Sequence, residues 1–221
     1  MPAILFGSIS TLADTSELQR QAFNEAFAQH GLDWTWSQEE YRSLLGSNGG
    51  AQRVADYAAE RGQDVDAAAV HATKSQLFQK LLAEATLSPR PGVRETIEGA
   101  KTAGHKVGFV TTTSKANVDA LLAALEPDID ASTFDIVVYD DHVDEPKPAP
   151  AAYQLALDWL DIEPADAVAI EDNIGGVRAA LAAGLRCIAF PNANTAGADF
   201  DEATDTADHL DADRVVALAA A

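Results

Sequence analysis

The sequence predicts an α/β protein in which a parallel β-sheet forms the core and a helical segment is inserted after the first strand. Three observations lead to this prediction. Residues 4–6 form a short apolar run of the kind that buried parallel strands show. Residues 16–85 carry helical periodicity and no convincing strand. After Pro89, strands and helices alternate, which implies right-handed crossovers and a parallel sheet.

The composition of the 221-residue chain restricts its class. At 47% hydrophobic residues it can bury a sizeable core. Its formal net charge of −20 disfavours nucleic acid and anionic membranes as partners, because both repel an acidic surface. A single cysteine, Cys187, excludes an internal disulfide and favours a reducing compartment. No apolar run approaches the ~18 residues of a transmembrane helix, so we expect a cytoplasmic protein.

Residues 15–87 are predicted to form a helical cap domain. Apolar residues recur at helical spacing from Leu18 to Phe27, and further helices are expected from about 37 to 45, 54 to 62 and 64 to 82. The glycine-rich segment 46–50 is predicted to be a turn. Trp34 and Trp36 lie near a loop in this segment, and we interpret them as packing residues.

The segments 1–14 and 88–221 are predicted to form the α/β core. Pro89 and Pro91 mark a linker or hinge where the composition changes. Beyond it, apolar runs predict strands at 107–110, 136–139, 167–170 and 187–190, separated by helices at 93–103, 116–125, 151–160 and 175–183, with a last helix at 211–221.

The first strand leads at once into small and polar residues, Gly-Ser-Ile-Ser-Thr-Leu-Ala-Asp-Thr, at positions 7–15. The chain therefore turns at the carboxyl end of a strand, where open α/β sheets place their chemistry. Asp14 and Thr15 are suited to cap a helix that begins near Ser16.

Three further segments place polar side chains at or beside predicted strand ends. Thr111 and Thr112 follow the strand at 107–110, where hydroxyl and backbone N–H groups can bind phosphate oxygens. Lys147 lies between two prolines, which stiffen its backbone. Glu171 and Asp172 follow the strand at 167–170, and such carboxylates need a cation or hydrogen-bond donors when they are buried. We expect all of them to meet Gly7 at one edge of the sheet.

Together these segments resemble the four sequence motifs of the haloacid dehalogenase-like hydrolase superfamily. The run Glu-Asp-Asn-Ile-Gly-Gly and the Ala-Gly that ends its helix, within residues 168–184, are similar to the phosphoglycolate phosphatase and beta-phosphoglucomutase-like branch. The resemblance implies a Rossmann-like three-layer core with a helical cap. It also implies phosphate binding by Thr111, Thr112 and Lys147, and Mg²⁺ binding by Glu171 and Asp172.

The first motif departs from the family where the reaction takes place. Gly7 stands where the family has its nucleophilic Asp, and Ile9 stands where it has the acid–base Asp. Loss of acid–base help typically costs ~10²–10⁴ in rate, and loss of the nucleophile removes the covalent route. One lysine and two acids leave a single net negative charge at the predicted site, so we expect the magnesium site to be weak or vacant.

Three kinds of function remain open. We favour a pseudoenzyme that keeps the phosphatase-like fold to bind a small phosphorylated or anionic ligand, or an unknown protein partner. The alternative is a phosphoric monoester hydrolase with rebuilt chemistry, in which metal-bound water or Ser10 attacks a small phosphate ester. Ser8 is expected to point away, because strand alternation turns its side chain from that of residue 7. The third is a structural or oligomerisation role.

The natural ligand is not determined by these residues. In the family, the cap helix that follows the first motif often carries a substrate-facing His. Gln19 occupies that neighbourhood in this chain, so the family's substrates do not carry over.

Overall fold

The computed structural model describes residues 1–46 and 49–220. Its sheet contains six parallel strands in the order β3-β2-β1-β4-β5-β6. The strands are β1 (Ala3–Phe6), β2 (Lys106–Val110), β3 (Ile136–Val138), β4 (Ala167–Glu171), β5 (Arg186–Ala189) and β6 (Asp205–Thr206). The helices are α1 (Ile9–Leu12), α2 (Ser16–Gln29), α3 (Gln38–Leu44), α4 (Gly50–Glu60), α5 (Ala67–Glu84), α6 (Val93–Thr102), α7 (Lys115–Leu125), α8 (Ala151–Leu160), α9 (Ile174–Ala182) and α10 (Ala212–Ala219).

The predicted fold class is confirmed: helical layers cover both faces of a parallel sheet. Side chains of β1 alternate between two apolar clusters because successive residues of a strand point to opposite faces. Ile4 and Phe6 join the cluster that includes residues of α6 and α10. Ala3 and Leu5 join the cluster that includes residues of α8 and α9. All four side chains are buried, which explains why the run is apolar throughout.

The strand register brings the predicted motifs to one edge. β1 lies between β2 and β4, and Phe6 pairs with Phe109 on one side and Ile170 on the other. The next residues along these parallel strands are therefore neighbours too. The segments that follow β1, β2 and β4 open at the carboxyl edge of the sheet.

Helices α2 to α5 occupy the segment assigned to the cap, and no strand lies between β1 and β2 in the described part of the chain. The cap boundaries at 15 and 87 stay a prediction. Trp34 and Trp36 are buried in its interior; the Trp36 ring lies 4.6 Å from Phe27 and the Trp34 ring 5.0 Å from Tyr57, as centroid distances. The predicted turn at 46–50 includes residues 47 and 48, which lie outside the described residues.

Two elements were not predicted. Helix α1 has four residues, two of them Ser and Thr, which also favour turns. Strand β6 has two residues, Asp205 and Thr206, and no apolar pattern. No described helix combines the length and hydrophobicity that crossing a membrane requires.

Candidate functional site

A cleft of about 620 Å³ lies between the carboxyl edge of the sheet and the cap. Most of the residues predicted from the sequence line it from the core side: Gly7, Ile9, Ser10, Thr111, Thr112, Lys147 and Asp172. Glu171 is not among the lining residues, and its side chain is completely buried. The cap contributes lining residues from α2, α4 and α5, including Gln19, Arg53, His71 and Lys74.

Lys147 and Glu171 form a buried ion pair beneath the cleft. The Lys147 Nζ lies 2.6 Å from Glu171 Oε1, and it also donates to the backbone carbonyls of Val110, at 2.7 Å, and Gly7. A lysine ammonium has three N–H donors, and here each has an acceptor. Tyr153 donates its hydroxyl to the same Glu171 oxygen at 2.8 Å. Burial raises the pKa of Glu171, while the positive charge of Lys147 opposes that rise.

Asp172 lines the cleft, surrounded by hydrogen-bond donors. Its Oδ1 accepts from the Ser8 hydroxyl at 2.6 Å and the Asn173 amide at 2.9 Å, and its Oδ2 accepts from Asn192 at 2.6 Å. The expectation that Ser8 points away is wrong. β1 ends at Phe6 and Ser8 has left the strand, so strand alternation does not govern its side chain.

The loop after β2 presents hydroxyl and amide groups to the cleft. Thr111 is buried, and its Oγ1 accepts from the backbone N–H of Thr113 at 3.2 Å. Asn117 donates to the Thr113 hydroxyl at 2.9 Å. Thr112 and Ser114 also line the cleft. These groups can bind phosphate oxygens or ligand hydroxyls.

Ser10 is held by a neighbouring hydroxyl. Its Oγ lies 2.9 Å from the Thr15 Oγ1, and the residue is buried. Arg90 fixes the backbone of the same segment. Its guanidinium donates to the carbonyls of Ser10, Phe190 and Pro191 at 2.9, 2.8 and 2.6 Å. The hinge predicted around Arg90 is thus joined to the core by three hydrogen bonds from one side chain.

Cationic side chains line the cap side of the cleft. The Lys74 Nζ donates to the Gln19 amide at 2.9 Å and lies 5.0 and 4.8 Å from the ring centres of Phe23 and Phe78. Burial, with Arg53 adding to it, lowers the pKa of Lys74 to about 7. Arg53 is also buried, and its Nε donates to the Leu44 carbonyl at 3.0 Å.

His71 completes this group on the cap side. Burial and the charges of Lys74 and Arg53 lower its pKa to about 4, so the imidazole is neutral at pH 7. Arg53 and Lys74 therefore supply the positive charge of the cap side.

The residues expected to bind Mg²⁺ do not present a pair of carboxylates to the cleft. Glu171 points inward to Lys147 and Tyr153, and both oxygens of Asp172 already accept from N–H or O–H donors. No group of three or more His, Cys, Asp or Glu among residues 1–46 and 49–220 is arranged to hold a metal ion. This donor set does not fit an ion that requires near-ideal octahedral oxygen coordination.

Sequence reasoning did not identify Arg53, Lys74, Arg90 or Asn192 as site residues. One signal was present for Lys74, which interrupts the apolar stripe that Val70, Leu77 and Phe78 form on α5. A lysine at such a position is costly to bury unless its charge has a use. Nothing in the local sequence marks Arg90 or Asn192 as site residues, because the groups they contact in the site, the Ser10 carbonyl and Asp172, lie elsewhere in the chain.

Comparison with known proteins places the chain in a family. The family model described as haloacid dehalogenase-like hydrolase matches residues 6–190. Protein CbbY of Cereibacter sphaeroides is 44% identical over 201 residues, covering 90% of this chain and 87% of its own. Crystal structures of CbbY from Rhodobacter sphaeroides, one in complex with phosphate and one of a mutant with xylulose-(1,5)bisphosphate, each have a TM-score of 0.85, 43% identity and 95% coverage of both chains.

These similarities extend over nearly the whole chain. The fold is also similar to that of a protein from Thermotoga maritima described as a putative beta-phosphoglucomutase, with 24% identity, a TM-score of 0.68 and coverage of 99% of this chain and 98% of that chain. Members of the family typically use Mg²⁺. The chain belongs to the haloacid dehalogenase-like hydrolases, in their phosphoglycolate phosphatase and beta-phosphoglucomutase-like branch.

Proposed function

We propose that this protein is a pseudoenzyme that binds a small phosphorylated molecule in the cleft and does not hydrolyse it. The observation that carries the proposal is Lys74, an almost fully buried cation that faces the cleft. Its hydrogen-bond acceptor is the neutral amide of Gln19, and no carboxylate in the described part of the chain forms an ion pair with it. A buried charge without a counter-charge is costly, and a bound anion would offset that cost.

The relatives support the chemical class of the ligand. One CbbY structure contains phosphate and another contains xylulose-(1,5)bisphosphate. An anionic group on Lys74 and Arg53 is consistent with such a ligand. For the core side, phosphate contacts from Thr111, Thr112 and Lys147 remain a prediction, and a contact from Lys147 requires one of its three present hydrogen bonds to open.

The absence of turnover follows from the side chains at positions 7 and 9. Gly7 offers no attacking group and Ile9 no proton donor. Ser10, the substitute considered above, is buried and paired with Thr15. Magnesium binding by Glu171 and Asp172 is proposed to be weak, because Glu171 is buried and does not line the cleft, and Asp172 already accepts three hydrogen bonds. A cytoplasmic location stays a prediction from the sequence.

The proposal is tested by calorimetric titration of the wild-type protein with a five-carbon sugar phosphate, followed by an assay for released phosphate in the same sample. We expect binding without release. Lys74→Met should weaken binding at least about tenfold, the loss typical of a charged hydrogen bond. Lys80→Met is the matched control, since Lys80 is exposed on the same helix. Sustained phosphate release would establish the hydrolase alternative, and the absence of any binding would refute the proposal.

A further inference from the structure

The charged residues that line the cleft are divided between its two sides. Among the described lining residues the carboxylates, Asp140 and Asp172, both belong to the core. Two cations of the cap, Arg53 and Lys74, face them. Lys147 is the core's own lining cation, so the charge of the core side depends on how far Lys147 is neutralised.

Glu171 neutralises Lys147 from a space that Gly7 and Gly176 leave open. A Cβ atom at position 7 would lie 2.2 Å from Glu171 Oε1 and 2.2 Å from the Tyr153 hydroxyl. A Cβ atom at position 176 would lie 2.1 Å from the Glu171 carboxyl carbon. Contacts this short do not occur, so the carboxylate can occupy this position only because both neighbours are glycines. The carboxylate of Glu171 thus fills the space that a side chain at position 7 would need.

The core side therefore lacks the positive charge that a phosphate group requires. One ammonium (Lys147) and two carboxylates (Glu171 and Asp172) leave one net negative charge, and the exposed Asp140 at the rim adds another. A divalent cation would reverse this balance, but the donor set described above does not fit one. Arg90 uses its guanidinium for backbone carbonyls and is not a lining residue.

The polar groups that remain on the core side suit hydroxyl groups better than a phosphate. Asp172 is a hydrogen-bond acceptor, and the hydroxyls of Ser8, Thr111 and Thr112 both donate and accept. A ligand hydroxyl can donate to a carboxylate, whereas a phosphate dianion is repelled by it. The cap side, with the positive charges of Lys74 and Arg53, suits a phosphate group better than a hydroxyl.

We infer that the cleft selects a sugar monophosphate over a bisphosphate, with its single phosphate on the cap cations and its hydroxyl-bearing end against Asp172. This inference rests on the proposed function and specifies the ligand class of the same site. The ligand inferred for this chain therefore differs from the bisphosphate that the structure of the CbbY mutant contains. In this arrangement Thr111 and Thr112 contact ligand hydroxyls, in place of the phosphate contacts that the sequence predicts for them, and Mg²⁺ has no part in binding.

The test compares two probes that differ by one phosphate, xylulose 5-phosphate and xylulose 1,5-bisphosphate, by calorimetric titration of the wild-type protein with EDTA or with about 10 mM Mg²⁺. The monophosphate should bind more tightly than the bisphosphate, with neither Kd changed more than about twofold by Mg²⁺. A bisphosphate that binds as tightly as the monophosphate, or more tightly, in either buffer would overturn the inference. If neither probe binds, it is the proposed function that fails.

A variant of Glu171 tests whether its negative charge causes the preference for the monophosphate. Glu171→Gln removes one negative charge and can still accept from Lys147 and Tyr153, so it should shift the ratio of the two Kd values about tenfold towards the bisphosphate. An unchanged ratio in this folded variant would contradict the assignment of the charge to Glu171. If the variant does not fold, the wild-type comparison alone decides the preference.

Discussion

Replacing Lys74 by methionine should stabilise the protein while it weakens ligand binding. Lys74 is 4% exposed and its pKa is lowered from 10.5 to about 7, chiefly by burial. Each pKa unit corresponds to about 1.4 kcal/mol, so the folded state loses on the order of 4 kcal/mol by holding this charge at neutral pH. The contacts of Lys74 with Gln19 and with the rings of Phe23 and Phe78 offset about 1–2 kcal/mol of this cost. We expect Lys74→Met to raise the free energy of unfolding by about 2–3 kcal/mol at pH 7.

The pKa values of Lys74 in the folded and unfolded states determine how the stability of the protein changes with pH. The lysine is protonated in the unfolded chain up to its ordinary pKa of 10.5, but in the folded protein only up to about 7. Between these values the unfolded state binds more protons, so this group makes the wild type more stable as pH rises. Below pH 7 the whole penalty applies. The stability difference between Lys74→Met and wild type should therefore shrink as pH rises above 7.

Urea unfolding followed by circular dichroism, at about pH 6.5 and pH 9, measures this difference directly. Lys80→Met on the same helix controls for the loss of a charge from an acidic protein. The reasoning would be refuted if Lys74→Met were less stable than wild type at neutral pH. A stability gain that is equal at both pH values would refute it as well, since the gain would then not come from protonation.

Three further predictions concern Gly7, Arg90 and the protonation of Lys74. Gly7→Ala should lower the free energy of unfolding by about 2–3 kcal/mol in urea titrations, because its Cβ would overlap Glu171 and Tyr153; wild-type stability would show that this space is not filled as described. Arg90→Met should lower the free energy of unfolding by about 3 kcal/mol in the same measurement, because three backbone carbonyls lose their donor. A loss within about 0.5 kcal/mol would contradict a stabilising role for these three hydrogen bonds. Sulfate, whose charge is constant from pH 6 to 8, should bind about tenfold more weakly at pH 8 than at pH 6, because Lys74 loses its proton over this range. A sulfate Kd that calorimetry finds unchanged between these pH values would exclude Lys74 as the binding cation.

The sequence was sufficient for the core and for the position of the site. Short apolar runs mark buried parallel strands because both faces of such a sheet are covered, and this held for β1, β2, β4 and β5. The residues after β1, β2 and β4 then meet because parallel strands end at one edge. Elements without an apolar pattern, such as β6, leave no such signal.

The sequence predicted the single net negative charge of the core side, but not the arrangement of its groups or the cations of the cap. Lys147 and Asp172 each have one partner more than a hundred residues away in the chain, Gly7 and Ser8. The position of Glu171 follows from space that Gly176, five residues further on, and the distant Gly7 leave, and the local pattern does not encode the contact with Gly7. Lys74 was visible only as a lysine in an apolar stripe, and the tertiary structure was needed to show what it faces.

Following the phosphorus atom of the ligand decides whether the protein binds a sugar phosphate and leaves it intact. Wild-type protein is incubated with xylulose 5-phosphate labelled on phosphorus, the bound fraction is separated, and the label is identified after denaturation. The account predicts that the label is recovered as intact sugar phosphate, with none on the protein and none as free phosphate. Label on the protein, or free phosphate formed at a rate near 1 s⁻¹, roughly the low end for ordinary enzymes, would contradict it.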